Sequence, residues 1–125
     1  MNHGHQIKKN RKKYFFFFIL TIFIFYSNIV NSITILGALN KVSGKISKIK
    51  IEDNEETYFG TLKIIVSTCK ASLPEDPPEN LAFIQIWDKK FDKEEKKIFS
   101  GWMFSSSPSI SALDHAVYDV WVIDC

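Results

Sequence analysis

Three stretches of this chain alternate apolar and polar side chains with a period of two, and that period commits them to β-strands. Lys45 to Ile51 sets Ile49 and Ile51 against Lys48 and Lys50. Thr61 to Ser67 sets Leu62, Ile64 and Val66 against Thr61, Lys63 and Ser67. Val117 to Cys125 sets Tyr118, Val120 and Val122 against Val117, Asp119, Trp121 and Ile123. Runs of this kind, rich in β-branched and aromatic residues, fit a pleated surface with one buried face. Leu81–Trp87 and Ile98–Phe104 are apolar at nearly every position, which predicts central strands buried on both faces.

Turn-forming residues fall between these runs. Ser43-Gly44 suggests a tight hairpin between Leu39–Val42 and Lys45–Ile51, and Asp53 to Glu56 an acidic turn. Pro74 to Asn80 contains three prolines, which remove backbone donors and exclude a central strand or a helix interior. Asp88 to Lys97 is charged at nine of ten positions and reads as an exposed hairpin tip. Ser109 to His115 follows Pro108 with serine as N-cap and is the one helical candidate in this part of the chain. The expected fold is all-β, a small antiparallel barrel or sandwich of six to eight strands with one short helix before the last strand.

The N-terminal end obeys a different pattern. Lys8, Lys9, Arg11, Lys12 and Lys13 precede Tyr14–Tyr26, a thirteen-residue run that is apolar apart from Thr21. A membrane-spanning helix needs about twenty apolar residues and a signal-peptide core only about seven to fifteen. Val30-Asn31-Ser32 supplies small or modest residues for signal cleavage after Ser32. The expected organisation is therefore residues 1–32 as a signal peptide and 33–125 as a single exported β domain. In the alternative, an uncleaved anchor extends through Ile29, Val30 and Ile33–Leu36. Membrane contact would then be confined to residues 14–36, with the domain still in the periplasm because the basic flank stays cytoplasmic.

Removing the basic end changes the electrostatics. From Ile33 onward eleven lysines and no arginine face fourteen acidic residues, so this part carries 11 − 14 = −3, whereas the whole chain carries +2. Such a surface lacks the positive field that phosphate backbones require, which argues against a nucleic-acid partner. Cys69 and Cys125 form an even pair, and in an exported domain a disulfide between them is expected.

The candidate chemistry is sparse. Asp114-His115 with Ser105, Ser106 and Ser107 is the one set with the residue types for acyl transfer, a Ser105–Ser107 nucleophile with His115 as base. That reaction depends on geometry that nearness in sequence does not supply. The competing reading has the serines in a turn and His115 bonded to a backbone carbonyl. After signal removal His115 is the domain's sole histidine, and cysteines 56 positions apart lack zinc spacing, so no metal and no cofactor is expected. Trp102, Met103 and Phe104 follow Gly101 and could line a binding site or fill the core. Trp102, Phe104, Asp114 and His115 are thus the candidate binding residues.

The order of certain segments resembles a known family. Phe59-Gly60-Thr61-Leu62, Cys69, Pro77-Pro78-Glu79-Asn80, then Phe99-Ser100-Gly101-Trp102-Met103-Phe104 with Ser106-Ser107-Pro108 are similar to its first part and centre. Ala112-Leu113-Asp114-His115, Val117–Val122 and Cys125 are similar to its end, with Ala116 where the family pattern has proline. This is the uncharacterised bacterial envelope family called domain of unknown function 2155, typical of alphaproteobacteria, and the resemblance runs from about Leu36 to Cys125. It implies an exported single domain with a cysteine pair and implies no activity. The preferred expectation is a non-enzymatic accessory or binding module for an envelope protein or polymer. The alternative is a small exported hydrolase.

Overall fold

A computed structural model describes residues 3–26, 32–90 and 93–125. The chain divides into two compact units, Met1–Val30 and Asn31–Cys125. The first contains a helix, α1 (His3–Ile24). Phe15 to Leu20 are apolar on every side of it and exposed, without the one-sided stripe of a helix packed on a core. Thr21, the polar break in the run, returns its hydroxyl to the carbonyls of Phe17 and Phe18 at 3.0 and 2.8 Å. Among the described residues, no helix is long and apolar enough to cross a membrane. The expected cleavage motif falls on Val30 and Asn31, which lie outside the described residues.

The second unit holds seven strands: β1 (Ile33–Asn40), β2 (Ile46–Glu52), β3 (Glu56–Phe59), β4 (Leu62–Ala71), β5 (Asn80–Asp88), β6 (Lys96–Phe104) and β7 (Tyr118–Asp124). They form two antiparallel sheets, β2-β1-β7 and β3-β4-β5-β6, in a sandwich-like arrangement, not a closed barrel. Alternation sorts the side chains as the period requires. Leu36, Ala38, Ile51, Val120 and Val122 from one sheet meet Leu62, Ile64, Val66, Ala82, Ile84, Ile86 and Met103 from the other in one buried cluster.

Two irregularities aim particular residues. The register of β4 against β5 shifts between Val66 and Thr68, leaving Ser67 as the extra residue. A bulge inverts the inside-outside alternation beyond it, so Cys69 turns inward and is 8% exposed. There it is joined to Cys125, the Cα atoms 5.5 Å apart, which ties the end of β7 to the opposite sheet. The second irregularity is an approach, not a shift: on the outer face of the three-stranded sheet, Gly37 pairs with Trp121, and a Cβ on Gly37 would overlap the indole.

Four details depart from the sequence pattern. No helix forms over Ser109–His115; Pro108 to Ser111 make a turn, and residues 112–115 run on without regular structure because Leu113 is drawn into the core. Val42 lies in the turn after β1, not in a strand, since the Asn40 side-chain oxygen accepts the amides of Val42 and Ser43. Asp88 is no part of an exposed tip: it ends β5 and is 5% exposed. Finally, among the described residues β6 is an edge strand with β5 as its only strand neighbour, and Trp102 on it is 39% exposed.

Candidate functional site

The expected binding residues fall into two places. Trp102 and Phe104 lie on β6 opposite Phe83 and Leu81, on the outer face of the four-stranded sheet. His115 belongs to the interior at the other end of that sheet, where Asp88 closes β5. Asp114, beside it in sequence, is exposed. The four residues therefore form no single site.

The outer face is built by register. Across the strands, Tyr58, Lys63, Trp87 and Lys97 make one row; Glu56, Ile65, Gln85 and Ser100 make the next; Thr68, Phe83 and Trp102 make a third. The ammonium groups of Lys63 and Lys97 lie 4.7 and 5.1 Å from the centre of the Trp87 ring. Lys63 is also paired with Glu95 at 2.8 Å, which raises its pKa above the ordinary lysine value, mainly through that hydrogen bond. Phe83 and Trp102 pack edge to face with centroids 5.3 Å apart. Trp87 and Trp102 stand four pairing positions apart along β5, about 13 Å at the rise of an extended strand. Gln85 and Ser100 lie between them, within 3.5 Å of each other.

The interior cluster is a closed network. His115 Nδ1 accepts the backbone amides of Val117 and Tyr118 at 3.0 and 3.1 Å. With Nδ1 accepting, the ring proton resides on Nε2 and is donated to Asp88 Oδ2 at 2.9 Å. The other Asp88 oxygen accepts from the Thr61 hydroxyl at 2.6 Å. Burial pushes the Asp88 carboxyl up, but the hydrogen bonds from Thr61 and His115 outweigh it and leave the pKa below the usual aspartate value. The sequence signal for this cluster was there in Asp88 itself, but nine charges in ten residues concealed which one turns inward.

The serines are engaged elsewhere. Ser105 and Ser106 both donate to the Glu79 carboxylate, which also accepts the amides of Asn80 and Ser106. The Ser106 hydroxyl and amide lower the Glu79 pKa, with further help from Ser105 and Asn80 against a smaller opposing effect of burial. Both His115 nitrogens are occupied by Asp88 and backbone amides, so neither faces a serine hydroxyl. The expected bond from His115 to a backbone carbonyl is replaced by its reverse, a ring nitrogen accepting from backbone. Among the described residues, no group of three or more His, Cys, Asp or Glu side chains is arranged to hold a metal ion.

Comparison with known proteins finds relatives by sequence. The chain is 35% identical over 88 residues to the uncharacterized protein RP359 of Rickettsia prowazekii (strain Madrid E), a match covering 70% of this chain and 57% of that protein. The chain thus aligns with little more than half the length of that relative. No solved structure matches. Residues 34–125 match the family model described as "Uncharacterized protein conserved in bacteria (DUF2155)", and the chain belongs to that family.

Proposed function

We propose that this protein is an exported binding module of the bacterial envelope, and that the outer face of its four-stranded sheet holds a polysaccharide-type envelope polymer. The observation that carries this reading is the pair Trp87 and Trp102, set about 13 Å apart on one face with Gln85 and Ser100 between them. Indole rings offer apolar area to the C–H faces of sugars, and the intervening amide and hydroxyl can bond sugar hydroxyls. Trp102 at 39% exposure and Tyr58 at 66% are more open than structural aromatics need to be. Lys97 and Lys63 add cations that can swing from the Trp87 ring to carboxylates on an anionic polymer.

Export is supported by the basic block followed by a short apolar run, and by a cysteine pair suited to an oxidising compartment. The hydrolase reading has no geometry to recommend it, because Ser105 and Ser106 are bonded to Glu79 and His115 is saturated. Sedimentation with insoluble envelope polymer from a host bacterium tests the proposal. The protein is expected to pellet with the polymer, and Trp102→Ala to remain in solution while keeping its circular dichroism spectrum. A protein that stays in solution at every polymer concentration, or a Trp102→Ala variant that pellets equally, refutes it.

A further inference from the structure

A second concave feature lies on another part of the β unit. A cleft of about 170 Å³ opens between the tip of the β1–β2 hairpin and the β3–β4 turn, lined by Asn40, Ser43, Lys45, Ser47, Phe59, Gly60 and Tyr118. This is well below the volume of drug-sized sites and suits a small ligand.

Its lining is rich in donors and free of carboxylates. Asn40 has its side-chain oxygen committed to the amides of Val42 and Ser43, which leaves the NH2 group as its free polar atom. The Ser43 hydroxyl accepts from the Lys45 amide and keeps its own proton available. Among the described residues, the Lys45 ammonium and the hydroxyls of Ser47 and Tyr118 have no protein partner. Phe59 and Gly60 complete the lining with apolar surface. The hairpin that supplies Asn40, Ser43, Lys45 and Ser47 is basic as well: from Ile33 to Ile51 the sequence contains Lys41, Lys45, Lys48 and Lys50 and no acidic residue.

The buried network holds this cleft in place. Tyr118 gives its amide to His115, its ring stands 5.2 Å from the imidazole, and Phe59 meets it edge-on at 5.5 Å. Gly60 has φ of +57°, and a Cβ there would overlap the Tyr118 hydroxyl. Thr61, the next residue, is anchored to Asp88. On the opposite wall, Lys41 donates its ammonium to the His115 carbonyl and its amide to the Val117 carbonyl, both at 2.7 Å. Both walls are therefore fixed to the same Asp88–His115 pair before any ligand arrives, which lowers the cost of ordering on binding.

We infer that this cleft is a binding site for a small carboxylate of about the size of acetate or lactate. One ammonium matches one carboxylate charge, and the hydroxyls and the Asn40 amide satisfy its remaining lone pairs. A phosphate dianion would bring a second charge that no lining residue neutralises. The site is independent of the polymer-binding face.

The test is a titration of the intact, isotopically labelled chain with acetate, L-lactate, inorganic phosphate and chloride, followed by NMR. Saturable shifts at the amides of Ser47, Gly60 and Tyr118 are expected with the two carboxylates. Lys45→Ala, an exposed position, is expected to weaken binding at least about tenfold. Tyr118→Phe is expected to weaken it several-fold without changing stability, because that hydroxyl has no protein partner to lose. The inference is overturned if neither carboxylate gives saturable shifts up to about 50 mM, if phosphate binds as tightly as acetate, or if Lys45→Ala binds unchanged.

Discussion

Asp88 Oδ2 and His115 Nε2 lie 2.9 Å apart, both side chains almost fully buried, and through this bond the end of β5 holds the start of β7. The imidazole is saturated, with Asp88 on one nitrogen and two backbone amides on the other. A histidine so placed organises backbone. His115→Ala removes the bridge and leaves a buried carboxylate short of a partner, so a loss of about 3 kcal/mol is expected. Asp88→Asn retains the shape and loses the charge-assisted bonds, for a loss of about 1–3 kcal/mol. Urea denaturation of the three proteins checks both values.

Asp88 and Glu79 give the acid sensitivity a sign. The Asp88 and Glu79 carboxyls have pKa values held below those of ordinary aspartate and glutamate. A carboxyl lowered in the folded state stabilises the fold fully above its unfolded pKa of about 4 and loses that contribution as pH falls through the folded value. Stability is therefore expected to be flat from these two groups near neutrality and to decline below about pH 4. In Asp88→Asn the curve should start lower and fall less steeply, measured as urea midpoints at a series of pH values.

A side chain at Gly37 is expected to cost stability. Its partner Trp121 lies across it on the outer face of the three-stranded sheet, where a Cβ would overlap the ring. Gly37→Ala must displace the indole, with an expected loss of about 1–3 kcal/mol. A red shift of the Trp121 emission in a variant lacking the other two tryptophans would accompany it.

Thr34 offers a gain. Its side chain is fully buried on the inner face of β1, and its hydroxyl has no hydrogen-bond partner among the described residues. Thr34→Val keeps the branched shape and removes the unpaired group, which is expected to raise stability by about 1 kcal/mol. Thermal and urea unfolding of the variant would show it.

The strands were legible because their cause is local. Alternation at Leu62, Ile64 and Val66, or at Val120 and Val122, records which face each residue buries, and the structure buries those faces. What failed were features decided at a distance. Ser109–His115 has a cap and helix-compatible residues, yet Leu113 is pulled into the core and the segment stretches to reach it. Asp88 is chemically one charge among many, and its burial depends on Thr61 and His115, which lie 27 residues away on either side. Trp102 sits in a run that is apolar at nearly every position, a pattern that predicts burial on both faces. Whether β6 has one neighbour or two is set by strand order, which no short window of sequence contains. Of the candidate site, Trp102 and Phe104 were visible as residues. Their companions Phe83 and Trp87 read as core in an apolar run, and the cleft at Lys45 and Tyr118 carries no motif at all.

The three tryptophans occupy three separable places: Trp87 and Trp102 on the outer face of the four-stranded sheet, and Trp121 over Gly37 on the other sheet. Fluorine NMR of the 5-fluorotryptophan-labelled protein, titrated with solubilised envelope polysaccharide, therefore reads directly where the polymer binds. Shifts or broadening of the Trp87 and Trp102 signals, with the Trp121 signal unmoved, are the expected result. A perturbed Trp121 signal beside unperturbed Trp87 and Trp102, or three signals that ignore the polymer throughout, would contradict the proposed binding face.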